Sequence, residues 1–436
     1  MKKILISLAI ALVGFNFQSC SLHDETDLFG QSAAERVEEA VKADKALLES
    51  ASNGWILRYY TGENYSGGGY TFLCSFKNGK VTVSGDVAES SATARSSYDI
   101  VKDRGPVLSF NTYNTILHAL GTPTQANVDG GQGDYEFIIE KTTNDSIYLK
   151  GKKWGNEMVM TRMPEGKAWA EYLEEVNKVN SQVLYNNKVM VGNDSVAYAS
   201  INYETRRLTM ETASGDVETP YYVTPTGIHL QTPITVNGQQ LAELNFDATT
   251  NELADANVQG IKLAGFIPER YKPIKFWEGA WQLVHATSAD ANPQYGYYNM
   301  NLEAYDASNL LATVNIDGIK YQFWVGYNQR YGSIELYSHY TTDPTNQYFG
   351  LVFYGVSFKG ETGYFNNKGR LQATWDDQAD RAYFKWNGVG DYELNSFVLL
   401  AINSSYQPEY DENGNYIPLA QLSYLSGMQR PTSNNK

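Results

Sequence analysis

Three hydrophobic rhythms follow one another along the chain. Ile4 to Phe17 is an almost unbroken apolar run behind Lys2 and Lys3. At about fourteen residues it is too short for a hydrocarbon core that takes roughly 20. With Ser19 ahead of Cys20 it has the layout of a cleaved secretory signal over residues 1–19. Between Ser32 and Ser52 the period is helical. Val37, Ala40, Val41, Leu47, Leu48 and Ala51 fall near one face, Ser32 and Glu35 stand at capping-box spacing, and Asn53-Gly54 supplies a left-handed stop.

From Trp55 onward alternation replaces the helical period. Strands are expected near Trp55–Thr61, Tyr70–Phe76, Lys80–Ser84, Ser97–Lys102, Val107–Asn111, Tyr135–Lys141, Ser146–Gly151 and Glu157–Met163. Asn78-Gly79 and Asn144-Asp145 are expected as hairpin turns, since Asn, Asp and Gly tolerate positive φ. Connections this short describe an antiparallel meander, as a curved sheet or a closed barrel. Tyr113–Leu120 and the glycine-rich Gly121–Gly133 interrupt the alternation and are expected to close one end.

Gly166–Asn180 reads as a second helix, with Ala168, Trp169, Tyr172, Leu173 and Val176 on one face. A second meander follows, with turns expected at Asn186-Asn187, Asn193-Asp194, Ser214-Gly215 and Asn237-Gly238, and Pro268 and Pro273 mark the clearest boundary. The expected fold is mostly β: antiparallel meander sheets or calycin-like barrels with an N-terminal amphipathic helix and one mid-chain helix. The expected organisation is a signal (1–19), an anchor and acidic tether (20–31), a β domain with flanking helices (32–180), a second meander (181–265) and an aromatic-rich β domain (276–431).

Chemistry changes this picture first at Cys20. A cysteine directly behind a small residue at the end of a signal resembles a bacterial lipobox, which makes Cys20 the expected lipidation site and membrane anchor. The acidic stretch from Ser21 to Asp27 has no apolar period and is expected to be a solvated leash. With Cys20 acylated, Cys74 has no disulfide partner and reads as a buried core thiol. Loss of Lys2 and Lys3 with the signal leaves 32 basic against 49 acidic side chains, a formal charge of −17. Such a surface repels phosphate backbones, so nucleic acid is not an expected partner.

Aromatic residues are densest after Phe276. Most are expected in the core or in cross-strand packing, because aromatics favour strands with or without a ligand. The ligand-binding candidates are Tyr295, Tyr297 and Tyr298, read as a loop around Gly296, together with Tyr327, Arg330 and Tyr331. Ring faces beside amide and guanidinium donors suit a sugar ring or a peptide backbone.

Catalytic patterns are sparse. The histidines at 23, 118, 229, 285 and 339 have no zinc spacing, no nucleophile elbow or phosphate-cradling loop occurs, and the 411–415 stretch reads as a turn around Gly414 rather than a calcium loop. No catalytic residue, metal site or cofactor is expected. Asp376, Asp377, Asp380 and Glu393 are carboxylates that a glycosidase would need to hold facing one another.

Several motifs carry a resemblance. Asp103-Arg104-Gly105-Pro106 through Asn114, Leu117-His118, Gly133-Asp134-Tyr135-Glu136-Phe137, Leu149-Lys150-Gly151-Lys152-Lys153 and Met160-Thr161 look like an uncharacterised Bacteroidetes lipoprotein family, as do Ser32–Arg36 and Gly54-Trp55. The likeness covers residues 29 to 180. That family is a domain of unknown function whose members resemble accessory lipoproteins of starch-utilisation-type uptake systems. The resemblance implies a place on the outer face of the outer membrane beside a TonB-dependent transporter and its lid lipoprotein, with oligopeptide or glycan as cargo. The expected role is a non-enzymatic binding subunit; the alternatives are a surface glycan hydrolase using paired carboxylates and a structural or adhesive surface protein.

Overall fold

The computed structural model describes residues 32–123, 128–287, 293–359 and 362–431. The signal, Cys20 and the acidic tether lie outside the described residues. The chain divides into two units, one running to Lys178 and including Tyr222–Pro225, the other comprising Val179–Tyr221 and Thr226 onward.

The first unit opens with helix α1, Ala33–Glu49. Its capping box is formed: the Ser32 hydroxyl accepts the Glu35 N–H at 3.3 Å, and the Glu35 carboxylate accepts the Ser32 N–H at 2.8 Å. The stop differs from expectation. Ser50, in right-handed backbone, caps the helix, while Gly54 at φ 80° comes at the entrance to the first strand. Glycine is needed there for close approach, because a Cβ would stand 2.6 Å from the Cys74 carbonyl oxygen and 2.9 Å from the Trp169 ring.

Strands β1 (Trp55–Tyr60), β2 (Gly69–Lys77), β3 (Lys80–Gly85), β4 (Ala94–Ser97), β5 (Asp99–Lys102), β6 (Pro106–Ser109), β7 (Glu136–Thr142), β8 (Ser146–Gly151) and β9 (Glu157–Arg162) form one antiparallel sheet. Its order is β4-β3-β2-β1-β9-β8-β7-β6-β5. The two edges are separated in sequence only by Tyr98, so β4 and β5 act as one bent strand that pairs with β3 in its first half and β6 in its second. The sheet is thereby nearly closed on itself. Trp55, Leu57 and Tyr59 alternate into a core with Phe72, Cys74, Phe137 and Met160, and Leu48 of α1 joins it. Ile116 and Leu117 from the segment that interrupts the strand pattern are buried in the same core. Asn78 and Gly79 both have positive φ, at 50° and 71°, as the hairpin requires. Asn144 and Asp145 do not; that turn is closed by Thr143, whose N–H donates to the Ser146 carbonyl at 2.8 Å.

Helix α2 spans Trp169–Gln182, with Leu173 and Val176 fully buried. Strands β10 (Asn186–Val191), β11 (Asp194–Asn202), β12 (Arg207–Glu211), β13 (Val217–Thr224), β14 (Gly227–Val236), β15 (Gln239–Asp247), β16 (Glu252–Asp255) and β17 (Ile261–Gly265) follow in sequential order, and β17 pairs with β10 to close a barrel. Asn237-Gly238 forms its hairpin with both φ values positive. Two expected turns are corrected. Asn186-Asn187 lies in β10, where the Asn187 amide donates to the Leu184 carbonyl at 2.8 Å instead of serving a turn. The next turn centres on Gly192, at φ 61°, one residue before the expected pair.

After a single helical turn, α3 (Ile274–Trp277), come β18 (Gly279–Ala286), β19 (Tyr295–Ala304), β20 (Asn309–Ile316), β21 (Ile319–Asn328), β22 (Ser333–Tyr337), β23 (His339–Thr341), β24 (Gly350–Lys359), β25 (Thr362–Phe365), β26 (Arg370–Asp376), β27 (Arg381–Trp386), β28 (Ser396–Ile402), β29 (Pro418–Leu422) and β30 (Leu425–Gln429). Eight of these, β18 to β22 with β26, β27 and β30, close a second barrel. The other five form a separate sheet, β23-β24-β28-β29 with β25 also on β24. This insertion places the candidate site.

Candidate functional site

The inserted sheet is apolar on both faces, and the alternation of its strands decides where each face goes. Phe353 and Phe397 point toward the barrel and stack in line with Phe323, with ring centroids 4.3 Å apart at each step and planes within 7°. Their neighbours Val352, Val356, Val398, Leu400 and Ile402 point the other way and form a small cluster with Tyr354 and Phe358 packed on it. A strand buried on both faces reads as a continuous apolar run, as Phe397–Ile402 does.

This outward face is only partly covered. The segment from Asn403 to Ile417 folds back over it, tied by bridges between Ile402 and Pro408 and between Tyr410 and Tyr416. It leaves a cavity of about 270 Å³ whose lining includes Tyr354, Phe365, Tyr406, Tyr416, Asn367 and Gln407. A second cavity of about 520 Å³ is lined by Trp324, Phe349, Gln322, Thr341 and Thr342 among others. The two share Tyr340, Ile402 and Tyr406 and so make one divided cleft. Tyr340, Phe349 and Tyr406 are each at least half exposed, at 52, 58 and 50%.

Aromatic edges and faces order the cleft. Tyr406 meets Tyr340 at 5.0 Å and Phe349 at 5.5 Å, Phe365 meets Tyr354 at 4.7 Å and Tyr416 at 5.2 Å, and all four contacts are edge-on. The hydroxyl of Tyr410 beside Tyr416 holds that phenol above its ordinary range, and burial does the same for Tyr354. Both rings are therefore neutral at physiological pH. Among the described residues no charged side chain lines either cavity. The arrangement can stack flat apolar surfaces and offer amide and hydroxyl groups at their rims.

The residues singled out by sequence lie elsewhere. Tyr295, Tyr297 and Tyr298 are on strand β19, not in a loop, because the chain pairs there in register with β18. Tyr295 and Tyr297 are exposed, whereas Tyr298, on the opposite face, stacks on His285 at 4.3 Å and donates to the Gln421 carbonyl at 3.2 Å. Tyr327 is buried, its hydroxyl donating to the Lys272 carbonyl at 2.8 Å. Arg330 pairs with Glu211 at 2.5 Å and lies 5.6 Å over the exposed Tyr331 ring. The structure thus joins Arg330 to Tyr331 and turns Tyr327 away from solvent. Tyr327 also borders a polar hollow of about 420 Å³, where Glu335 binds Arg370 at 2.7 Å and Asn328 at 2.9 Å.

Three of the four carboxylates considered for hydrolysis take turn positions or an ion pair, and the fourth, Glu393, is exposed. Asp376 accepts the N–H groups of Gln378 and Ala379, Asp377 pairs with Lys272 at 2.6 Å, and Asp380 takes a turn position at φ 52°. Asp411 likewise accepts the N–H groups of Asn413 and Asn415 in a turn around Gly414. Among the described residues no three His, Cys, Asp or Glu side chains converge as metal ligands. Burial pushes the Cys74 thiol far above its ordinary range, so it is inert in the folded chain.

Three residues of the motifs that carried the resemblance hold the first unit together, and the motifs at Gly133 and Lys152 also line a cavity of about 130 Å³. The fully buried Asn114 amide donates to the Ala94 carbonyl and the Ser96 hydroxyl, and its oxygen accepts the N–H groups of Ile116 and Leu117. The Asp134 carboxylate accepts the N–H of Lys153 at 2.7 Å and of Trp154 at 3.3 Å, joining the motif at Gly133 to the motif at Gly151. Trp55 donates its indole N–H to the Leu48 carbonyl.

Trp324, Tyr340, Tyr354 and Phe365 were missed because aromatics in strands carry no sign of which face they occupy. One signal was present: Tyr406, Tyr410 and Tyr416 stand in a Pro- and Asn-containing stretch of the kind used to choose the other candidates.

A family model described as "Domain of unknown function (DUF4302)" matches residues 25–248. The match extends past the 29–180 suggested by the motifs, through β15 of the first closed barrel, and the aromatic cleft lies outside it. No curated protein matches the chain.

Proposed function

We propose that this chain, which belongs to the DUF4302 family, a domain of unknown function, acts as a non-enzymatic binding subunit of a nutrient importer. In this reading Cys20 carries lipid and holds the protein on the outer membrane facing the cell exterior. Its partners are a TonB-dependent transporter and that transporter's lid lipoprotein, and its cargo is an oligopeptide or a glycan. The observation that carries the reading is the uncharged aromatic cleft over the inserted sheet, which has the walls of a binding site and the rim groups that orient a ligand. The signal-like N-terminus, Cys20 and the acidic tether support the surface location.

The competing reading, a surface glycan hydrolase, needs two carboxylates facing one another across the substrate. Asp376 and Asp377 are occupied by turn N–H groups and by Lys272, which favours binding over hydrolysis.

The test is a tagged pull-down from gently solubilised outer membranes, with mass spectrometry of retained proteins and small molecules. Co-recovery of a TonB-dependent barrel and its lid lipoprotein is the expected result. Recovery of the chain alone overturns the importer role, and recovery with other surface proteins but no small ligand points to an adhesive one.

A further inference from the structure

Resting on the binding reading, we infer that the cleft takes a neutral oligosaccharide laid across two subsites, with Tyr406 as the ridge between them. Three features of the cleft lead there.

The first is the position of Tyr406. It belongs to both cavities, stands half exposed between Tyr340 and Phe349, and meets both rings at steep interplanar angles of 64° and 86°. The second is its backbone. Tyr406 sits at φ 58°, a conformation that a bulky residue adopts rarely and that Asn or Gly would occupy at less cost. The surrounding turn enforces it: the Asn403 side-chain oxygen accepts the N–H groups of Ser405 and Gln407, and the Asn403 carbonyl accepts that of Tyr406 at 2.9 Å. A strained aromatic held on the rim of a cleft is a functional signal.

The third feature disfavours a peptide laid along the floor as an added strand. A peptide bound as an added strand uses the free N–H and C=O groups of a sheet edge. The floor here is a sheet face: β24 pairs with β23 on one side and with β28 along Gly350–Val356 on the other, so its backbone groups are taken. Ring faces and side-chain rims remain. The Asn367 and Gln407 amides are exposed and bind nothing among the described residues. Aromatic faces match the apolar C–H faces of a pyranose, and amides and hydroxyls match its equatorial hydroxyl groups. The absence of charge in the lining suits a neutral glycan over a uronate or a sulfated one.

The experiment titrates the full chain with neutral gluco-, manno-, galacto- and xylo-oligosaccharides of two to seven units, and with proline-rich and mixed-sequence decapeptides. Calorimetry reports binding, and the part of the intrinsic fluorescence change lost in Trp324→Phe reports it at the larger cavity, which Trp324 lines. At least one saccharide series is expected to bind, about tenfold or more tighter for the tetrasaccharide than for the disaccharide because both subsites fill. Tyr406→Ala and Tyr406→Asn should each lose at least tenfold in affinity. The Asn variant should keep or raise the thermal midpoint, since it relieves the strain, and this separates a ligand role from a folding role. Failure of every saccharide series, no dependence on chain length, or wild-type affinity in Tyr406→Asn overturns the proposal. Peptide binding that Tyr406→Asn abolishes overturns the glycan and leaves the importer reading standing; glycan binding with an empty pull-down does the reverse.

Discussion

The imidazole of His339 accepts the backbone N–H of Trp324 through Nε2 at 2.9 Å, while its Nδ1–H donates to the Tyr337 carbonyl at 2.8 Å. The acceptance at Nε2 requires the neutral ring, and burial pushes its pKa below the ordinary 6.5 against the opposing pull of the Tyr337 carbonyl. The unfolded chain therefore takes up this proton at a higher pH than the folded one. The contribution is full above pH 6.5 and is lost as pH falls through that value toward the folded pKa. Thermal melts from pH 7.5 to 5.5 should show the midpoint of the second unit dropping. His339→Gln, whose side-chain oxygen can accept the same N–H without titrating, should flatten the slope. An unchanged slope in that variant would remove His339 as its source.

Asp343 organises the loop that carries Phe349 into the cleft. Its buried carboxylate accepts the N–H groups of Thr345, Gln347 and Tyr348, each at 2.9 Å. Burial alone would raise its pKa, but these donors outweigh it and hold the group below the ordinary carboxylate range. Asp343→Ala leaves three N–H groups unpaired and should cost about 2 kcal/mol by denaturant titration. Cleft affinity should fall as well, because Phe349 loses its support.

Gly151 leaves the space that Asp134 fills. A Cβ at Gly151 would overlap the Asp134 carboxylate, which the Lys153 and Trp154 N–H groups hold in place. Gly151→Ala should therefore destabilise the first unit by about 1–3 kcal/mol. In an Asp134→Ala background the same change should cost clearly less, and a double-mutant cycle reads the difference. Equal costs in both backgrounds would place the strain elsewhere.

Phe353 is the middle ring of the Phe323–Phe353–Phe397 stack that joins the inserted sheet to its barrel. Phe353→Ala removes a fully buried ring and should cost about 3–5 kcal/mol. Hydrogen exchange should show protection lost in β24 and β28 before β20 and β21. Loss that is uniform over the barrel and sheet would show that the stack does not separate them.

Local pattern determined the elements. Alternation from Trp55 to Arg162 located eight of the nine strands of the first sheet to within two residues and missed β4, because a half-buried strand must place apolar side chains at every second position and Ala94–Ser97 is too short and polar to show it. The Ser32–Glu35 box and the Asn78-Gly79 and Asn237-Gly238 turns were equally legible, since each needs only a few neighbouring residues to satisfy backbone geometry.

Only the tertiary structure decided closure and site. The sheet edges meet at Tyr98 through pairing partners far apart in sequence, and β23–β25, β28 and β29 leave the barrel order to build a sheet of their own. That departure puts Tyr340, Tyr354, Phe365, Tyr406 and Tyr416, separated by as many as 76 residues, around one cleft, and it turns Tyr327 inward to the Lys272 carbonyl. Which face of a strand is solvent and which is core depends on what packs against it. An aromatic side chain is compatible with either face, so its local sequence carries no mark of the choice.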